Sequence, residues 1–464
     1  MRPRPALILR RLAPPAVALL LALAPAAAAR PSSARPHAPA PPQIQLGPAL
    51  NAAPGTTVTL PPAGLSIEYP VMVAALGAAA CPPPALTAEL QRLGSPPLQL
   101  AGQSQDFTVP AQSAATLPPD WEGLTAYQLA PEFWTRLHCL LNGAPAPLTV
   151  GLNVRIGQLS WAEQLVAAAR ETATNGLSFS LGNEPDRYYL PNYASLTKPQ
   201  PGEEAASVNL YLRAAGYVRP ATAGAPLSGP EMAAPTRWQA ALPRVVSTLG
   251  LQTLGVHMYP LSVCHTPRAA TVSGLLSESV GAAPRRLAWV VADAAAAHAV
   301  PVISEANSVS CGGKAGVSDS RASAVWAVRF VLSALKTGFH EVRFHFSGNP
   351  YDPFTVRGGE VLRRPLEAAM VALNQWLPAG ATLRSVPVRG LLATAVATPA
   401  GHSLLILDNE RPKAQTVILS GYTPASTVQS FAARGALPQP VPIKGAGGRE
   451  RVVIPRDAVL AVSF

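Results

Sequence analysis

Glu184 and Glu305 are the two residues whose type and setting could do chemistry. Glu184 stands in Ser180-Leu181-Gly182-Asn183-Glu184-Pro185-Asp186, and Glu305 in Val302-Ile303-Ser304-Glu305-Ala306-Asn307-Ser308. Each closes a short apolar run that reads as a buried β-strand. Two carboxylates at the ends of parallel strands can flank one glycosidic bond if they stand about 5 Å apart, one protonating the leaving oxygen and one attacking the sugar. The acid then needs a raised pKa, which nearby negative charge supplies. The attacking carboxylate must stay ionised, so it needs donors beside it. His257 and Tyr259, in Val256-His257-Met258-Tyr259-Pro260, are suited to this, with the Tyr259 hydroxyl expected to hold Glu305. Asn183 can bond the sugar hydroxyl next to the reacting carbon.

Further polar groups stand at expected strand ends. Glu68 ends the first strand, and Asn153 and Arg155 end the third. His345 and Tyr351 lie in Phe344-His345-Phe346-Ser347-Gly348-Asn349-Pro350-Tyr351. Glu68, Asn153, His345 and Tyr351 are expected to contact a sugar, with a core role the simpler reading of His345. Asp106 and Asp186 read as structural. No metal or cofactor is expected, since the chain has no Cys-x-x-Cys and no two cysteines close in sequence.

Such groups meet only if a scaffold brings strand ends to one face. Strand-like and helical patterns alternate through the middle of the chain, which predicts βαβ units and a parallel sheet. The expected strands are 64–69, 97–101, 148–154, 177–181, 221–225, 253–258, 301–304 and 342–346. The expected helices are 86–93, 132–141, 161–172, 207–215, 238–249, 285–298, 320–336 and 361–376. In the third, Trp161, Leu165, Val166 and Ala169 share one face. After Leu377-Pro378, short β-like runs follow at 391–398, 403–407, 416–419, 428–432, 441–443, 452–454 and 459–464. The fold class is therefore α/β, a (β/α)8 TIM barrel with a C-terminal antiparallel β-sandwich domain.

Residues 1–29 read as a signal peptide, with Arg2, Arg4, Arg10 and Arg11 before an apolar stretch and Ala26-Ala27-Ala28-Ala29 suited to cleavage. An uncleaved membrane anchor is the other reading. Residues 30–43 read as a disordered linker, 44–60 as N-terminal strands joining the sandwich, 61–378 as the barrel and 379–464 as the sandwich. The formal charge of +11 would fall to about +7 without the four N-terminal arginines, and no Lys/Arg block remains. Nucleic-acid binding is not supported by that pattern. The location implied is secreted, extracellular or periplasmic, as a monomer without stable membrane association. Four cysteines in an exported chain favour disulfides, with three pairings open. Cys264 and Cys311 both follow expected barrel strands closely and would lie on one face, which leaves Cys81 with Cys139. Buried free thiols are the alternative.

Asn183-Glu184-Pro185-Asp186, His257-Met258-Tyr259-Pro260, Ser304-Glu305-Ala306-Asn307-Ser308 and Phe344-His345-Phe346 resemble glycoside hydrolase family 79, over roughly residues 60 to 464. That family holds β-glucuronidases and heparanase-like enzymes, within a clan whose catalytic glutamates follow barrel strands four and seven. The resemblance implies Glu184 as acid/base, Glu305 as nucleophile and Asn183 as binder of the sugar 2-hydroxyl. It implies a carbohydrate partner, uronate-containing in the family's manner. Val309-Ser310-Cys311-Gly312-Gly313 stands where family glucuronidases often place a tyrosine that holds the uronate carboxylate. Ser347-Gly348-Asn349-Pro350-Tyr351 matches only part of their Gly-Gly-Tyr-type loop. A neutral-sugar β-glycosidase, a transglycosidase and a non-catalytic glycan binder stand as alternatives.

Overall fold

The computed structural model describes residues 40–47, 50, 55–111, 127–188, 203–264, 269–421, 427–433, 441–442 and 449–464. The expected signal peptide lies outside them, as do residues 30–39 of the expected linker. The linker's last residue, Gln43, is instead the first of a strand, Gln43–Gln45.

Eight strands close a barrel. In chain order they are Ala63–Glu68, Leu98–Ala101, Leu148–Leu152, Leu177–Leu181, Leu227–Met232, Thr253–Met258, Val300–Ala306 and Val342–Phe346. Every neighbouring pair is parallel, and the eighth closes on the first. The strands alternate in a way that explains closure. Leu65 and Ile67, Leu98 and Leu100, Phe179 and Leu181, and Phe344 and Phe346 join one apolar core with the surrounding helices. Residues of the other parity, including Ser66, Gln99, Thr149, Ser180, His257, Arg343 and His345, are buried and polar. Period-two alternation thus puts the apolar face outward against the helices and the polar face inside the barrel.

Helices follow the strands, among them Glu132–Gly143, Leu159–Thr172, Glu203–Val218, Leu242–Leu249, Arg321–Thr337 and Pro365–Trp376. Arg321–Thr337 is buried along nearly all its length. Its Trp326 meets Phe344 of the barrel edge-on at 6.1 Å, and its Arg329 donates to Asp408 of the C-terminal sheet at 2.8 Å. A helix hydrophobic all round is one enclosed on both sides. Here it fixes the segment that follows Glu305.

The C-terminal region has two sheets. Seven strands run Thr56–Thr57, Thr382–Val388, Leu391–Ala397, Ser403–Asn409, Ala458–Ser463, Thr427–Ala432 and Val441–Pro442 in spatial order. The second sheet joins Gln43–Gln45, Gln415–Ser420 and Arg449–Ile454. Leu405, Leu407, Leu460 and Val462 of the first sheet share a core with Ile44, Val417, Leu419 and Ile454 of the second. Leu404, Ile406, Val459 and Ala461, of opposite parity, join the barrel's core. The segment before the barrel thus supplies a strand to each sheet.

Several expectations fail. The helices expected at 238–249 and 285–298 begin later, at Leu242 and Ala288, after the 3-10 turns Pro235–Ala241 and Ala283–Leu287. Strand five is not 221–225: Arg219–Thr222 is a 3-10 turn, and the strand is Leu227–Met232. Its Leu-Ser-Gly-Pro-Glu-Met sequence has little apolar periodicity, and proline argues against a central strand. Helix eight does not begin at Val361. Glu360–Arg363 pairs with Phe354–Arg357 as a hairpin, and the helix starts at Pro365. Thr382–Val388, carrying Pro387, is a strand that the pattern does not reveal.

Cys81 is bonded to Cys139, and Cys264 to Cys311. The second bond ties the loops after barrel strands six and seven, beside a short parallel pair of Leu261–Ser262 with Val309–Ser310. Among the described residues no helix is long and apolar enough to cross a membrane.

Candidate active site

The polar interior of the barrel opens at the C-terminal strand ends into a cleft of about 630 Å³. Its lining includes Glu68, Ser104, Asn183, Glu184, Arg187, Tyr259, Glu305, His345 and Tyr351. Strand one delivers Glu68, and the turn after strand four delivers Asn183 and Glu184. Glu305 lies within strand seven, and His345 within strand eight. Active sites of closed parallel barrels sit at this face because eight strand ends converge there.

Glu184 has left-handed backbone angles, φ 46° and ψ 48°. Such a conformation costs a side chain-bearing residue about 1–3 kcal/mol and persists only where the surroundings impose it. They do so here. The Glu184 amide donates to the Glu231 carbonyl at 2.9 Å, and the Asn183 amide donates to Asp106 Oδ1 at 3.4 Å. Asp186 accepts from the amides of Ala233 and Ala234 at 3.0 and 2.9 Å. The loop after strand four is thereby bound to the loop after strand five, and Asp106 and Asp186 act as scaffold. Burial lifts the Asp106 carboxyl to about 8, against the Tyr188 bond and the Arg155 charge.

An oxygen of Glu184, an oxygen of Glu305 and a ring nitrogen of His257 all lie within 4.8 Å of one another. His257 Nδ1 is 3.1 Å from Glu184 Oε1 and 3.7 Å from Glu305 Oε1. The Tyr259 hydroxyl donates to Glu305 Oε1 at 2.7 Å. Glu305 Oε2 is buried without a hydrogen-bond partner among the described residues. One oxygen of this carboxylate is thus held, and the other keeps its lone pairs free. His345 Nδ1 lies 2.7 Å from the Tyr259 hydroxyl, and its Nε2 lies 3.2 Å from Glu68 Oε1. Glu68 also accepts from the amides of Gln103 and Ser104 at 3.0 and 2.7 Å. Gly102 makes that approach possible, since a side chain there would overlap the Glu68 carboxylate.

Charge is balanced by histidines. Burial pushes His257 down, but the charges of Glu305 and Glu184 and the Glu184 bond outweigh it and raise its pKa to about 9. His345 is likewise opposed by burial and raised to about 9 by Glu305 and Glu68. Both imidazoles are therefore cationic donors at neutral pH. Glu68 is held below its ordinary value, with His345 and Ser104 overcoming burial. Glu184 is also held low: burial raises it, but the Arg187 charge, the His257 bond and charge, and the His345 charge prevail. This reverses the expected raised acid. The sequence pattern gives the carboxylates but not the cations packed against them, and Arg187 Nη1 stands 3.3 Å from Glu184 Oε2.

Asn183, Glu184, Tyr259, Glu305, Glu68, His345 and Tyr351 line the cleft together. Tyr351 is turned toward Ser347 and His345, its hydroxyl 2.8 and 3.0 Å from them. His257 sits beneath the pair rather than in the wall. Asn153 does not line the cleft. Its amide nitrogen donates to the Thr108 carbonyl at 3.3 Å, and its oxygen accepts from the Ile156 amide at 3.0 Å, so it holds loops rather than facing a sugar. Arg187 and Glu231 are the charged neighbours that sequence reasoning missed. Arg187 directly follows the Asn-Glu-Pro-Asp segment, but nothing in its spacing marks it. Glu184, His257 and Glu305 could hold a metal ion by position, and binding one would require His257 to release its proton.

No family model matches the chain, and no curated protein matches it. Solved structures do. A 4-O-α-L-rhamnosyl-β-D-glucuronidase from Fusarium oxysporum 12S superposes with a TM-score of 0.64 at 20% identity, over 88% of this chain and 97% of that one. A GH51 arabinofuranosidase from Xanthomonas axonopodis pv. citri gives 0.63 at 14% identity, covering 91% and 98%. A GH30 endoxylanase from Clostridium papyrosolvens C71 gives 0.54 at 11% identity, covering 91% and 98%. At these identities the likeness is one of fold: a barrel of eight parallel strands with an attached β-sandwich.

Proposed function

We propose that this chain is a secreted retaining glycoside hydrolase in which Glu305 is the nucleophile and Glu184 the acid/base. The observation that carries this is the pair itself: a buried carboxylate, Glu305, and a partly buried one, Glu184, with oxygens within 4.8 Å. Retaining enzymes place them about 5–5.5 Å apart, whereas inverting ones leave about 6.5–9.5 Å for a water. Glu305 Oε2 attacks the anomeric carbon while the Glu184 proton passes to the departing oxygen. Glu184 then takes a proton from the water that releases the sugar. The Tyr259 hydroxyl and the imidazoles of His257 and His345 hold the Glu305 carboxyl group in place before attack. A sugar filling the cleft adds to the burial that already pushes Glu184 upward, so protonation of the acid is coupled to binding.

The substrate class we infer is a β-glucuronide or related glycan, in keeping with the family 79 resemblance and with a Fusarium fold neighbour that is a glucuronidase. A second reading, a neutral sugar, is favoured by Glu68. This ionised acceptor lines the cleft, and the family tyrosine position is taken by Val309-Ser310-Cys311. Export fits the two disulfides, which persist in oxidising compartments.

A panel of aryl β-glycosides tests both levels. Incubation with a 2-fluoro glycoside of the active sugar, then peptide mass spectrometry, should place a covalent sugar on Glu305. Turnover without an adduct, or with inversion at the anomeric carbon, would sink the double displacement. Hydrolysis of xylosides or galactosides but not glucuronides would reject the uronide assignment alone.

A further inference from the structure

We propose that Glu231 is a positioning residue for this reaction: its carbonyl anchors the backbone of Glu184, and its side chain, buried over Gly255, supports the imidazole of His257 beneath the two glutamates. The proposal rests on the retaining-glycosidase reading. Glu231 is the penultimate residue of barrel strand five and is 1% exposed. Its Oε1 accepts from the hydroxyls of Ser180 and Ser228 at 3.0 and 2.6 Å. Its Oε2 is buried and has no hydrogen-bond partner among the described residues. That oxygen fills the space over Gly255, where any side chain would overlap it. Gly255 and His257 are two apart on strand six, so they share the barrel's inner face. The missing side chain at Gly255 thus lets a carboxylate lie next to His257 within the barrel.

The main chain makes the second link. The Glu184 amide donates to the Glu231 carbonyl at 2.9 Å. Both residues are left-handed, with φ 46° and 56°. Neither is a glycine, and such conformations persist where the surroundings fix them. The serine-bonded side chain of Glu231 supplies that fixing from below, in register with Asp186, which binds the amides of Ala233 and Ala234.

Hydrogen bonding alone does not explain a glutamate here, because a glutamine would accept from both serines equally well. A buried carboxylate needs a cation nearby to offset its desolvation. His257 Nδ1 lies 3.1 Å from Glu184 and 3.7 Å from Glu305, with Arg187 beside Glu184 and His345 beside Glu305, and the Glu231 charge adds to theirs in raising the ring's pKa. The Tyr211 hydroxyl, from helix Glu203–Val218, donates to the Leu181 carbonyl at 2.9 Å, and burial and then the Glu231 charge push its pKa up. Glu231 therefore adds a negative charge beneath a ring already flanked by two. Without it the ring gives up its proton more easily, and the bridge between acid and nucleophile loses its charge.

Glu231→Gln and Glu231→Asp test this. The readouts are the pH–rate profile and the nitrogen NMR titration of His257, assigned by comparison with His257→Gln. We expect Glu231→Gln to move the alkaline limb and the His257 midpoint down by about one pH unit, the scale of one added neighbouring charge. Glu231→Asp, which shortens the side chain but keeps its charge, should leave both within a few tenths. An unmoved His257 midpoint in Glu231→Gln, or an equal shift in Glu231→Asp, would overturn the proposal. If Glu231→Gln does not fold, the Ser180→Ala/Ser228→Ala double variant replaces it. Stripping both donors releases the carboxyl from its seat over Gly255, so the midpoint should move the same way by less, and no movement overturns the idea. The titration needs no substrate. Lack of hydrolysis on every glycoside would therefore reject the glycosidase and leave the Glu231–His257 coupling measurable.

Discussion

The barrel buries charge at both ends, and the ends behave differently. At the N-terminal end Arg343 donates to Glu341 at 2.6 Å, to Gln99, and to Thr149 at 3.3 Å. Thr149 and Ser178 are 2.9 Å apart and continue the network to strand four. Residues on strands two, three, four and eight thus fill the floor, and none of them lines the cleft. At the C-terminal end the inner parity delivers Glu68, His257 and His345, and an irregularity after Ile303 turns Glu305 inward opposite His257, where a cleft of about 630 Å³ opens. Orphan atoms occur in both places, Glu341 Oε2 in the floor and Glu305 Oε2 in the mouth. A buried carboxylate with a spare oxygen is therefore not in itself a site. What separates the ends is access, together with a second carboxylate at reacting distance.

That contrast is broken most directly by exchanging the roles of the two ends. Glu305→Gln should reduce turnover of every active glycoside to background and also lower the thermal midpoint near neutral pH, since His257 and His345 lose the charge that does most to raise them. Glu184→Gln should cost about 10²- to 10⁴-fold with a poor leaving group, and much less with a nitrophenol that departs unprotonated. At the floor, Arg343→Met should leave kcat intact but destabilise the fold by about 3–5 kcal/mol, because Glu341 is left buried and uncompensated. Denaturant midpoints and kcat on one aryl glycoside check all three. A floor variant that loses turnover at unchanged stability would end the distinction.

Tyr259→Phe sharpens the picture within the mouth. The hydroxyl is the closest donor to Glu305, at 2.7 Å. Removing one preorganised donor to a reacting oxyanion typically costs about 10²–10³ in kcat. KM should change little if the hydroxyl holds the nucleophile rather than the sugar. A loss carried wholly by KM would make Tyr259 a binding residue instead.

The two ends also differ in how far the sequence discloses them. Glu184 and Glu305 are legible because each closes an apolar run, and strands four, six and eight fall where periodicity puts them. Strand five is not legible: Gly229, Pro230 and Glu231 hide it, and with it the anion under His257. The floor network is not legible either, because Gln99, Thr149 and Arg343 look like exposed residues of half-buried strands until the barrel closes over them. Asn153 shows the reverse failure. Its position at a strand end suggests the cleft, but its side chain is used by Thr108 and Ile156. The depressed Glu184 is the largest gap, since it depends on Arg187, His257 and His345 arriving from three different places in the chain.

The smallest effect expected is on stability against pH, and its sign follows from the same histidines. His257 and His345 have folded pKa values of about 9, above the ordinary 6.5. A group raised in this way stabilises the fold fully below its unfolded value, and the contribution is lost as pH climbs through the folded value. Asp106, lifted from 3.8 to about 8, acts in the same direction. The thermal midpoint should therefore fall between about pH 6.5 and 9. Glu68 and Glu184 are depressed, so their contribution fails only in acid, as pH drops through their folded values. Arg343→Met, at the floor and away from both histidines, should lower the whole curve without bending it. His345→Gln should flatten the alkaline descent. A His345→Gln curve parallel to the parent's between pH 6.5 and 9 would mean that the mouth is not the source of the pH dependence.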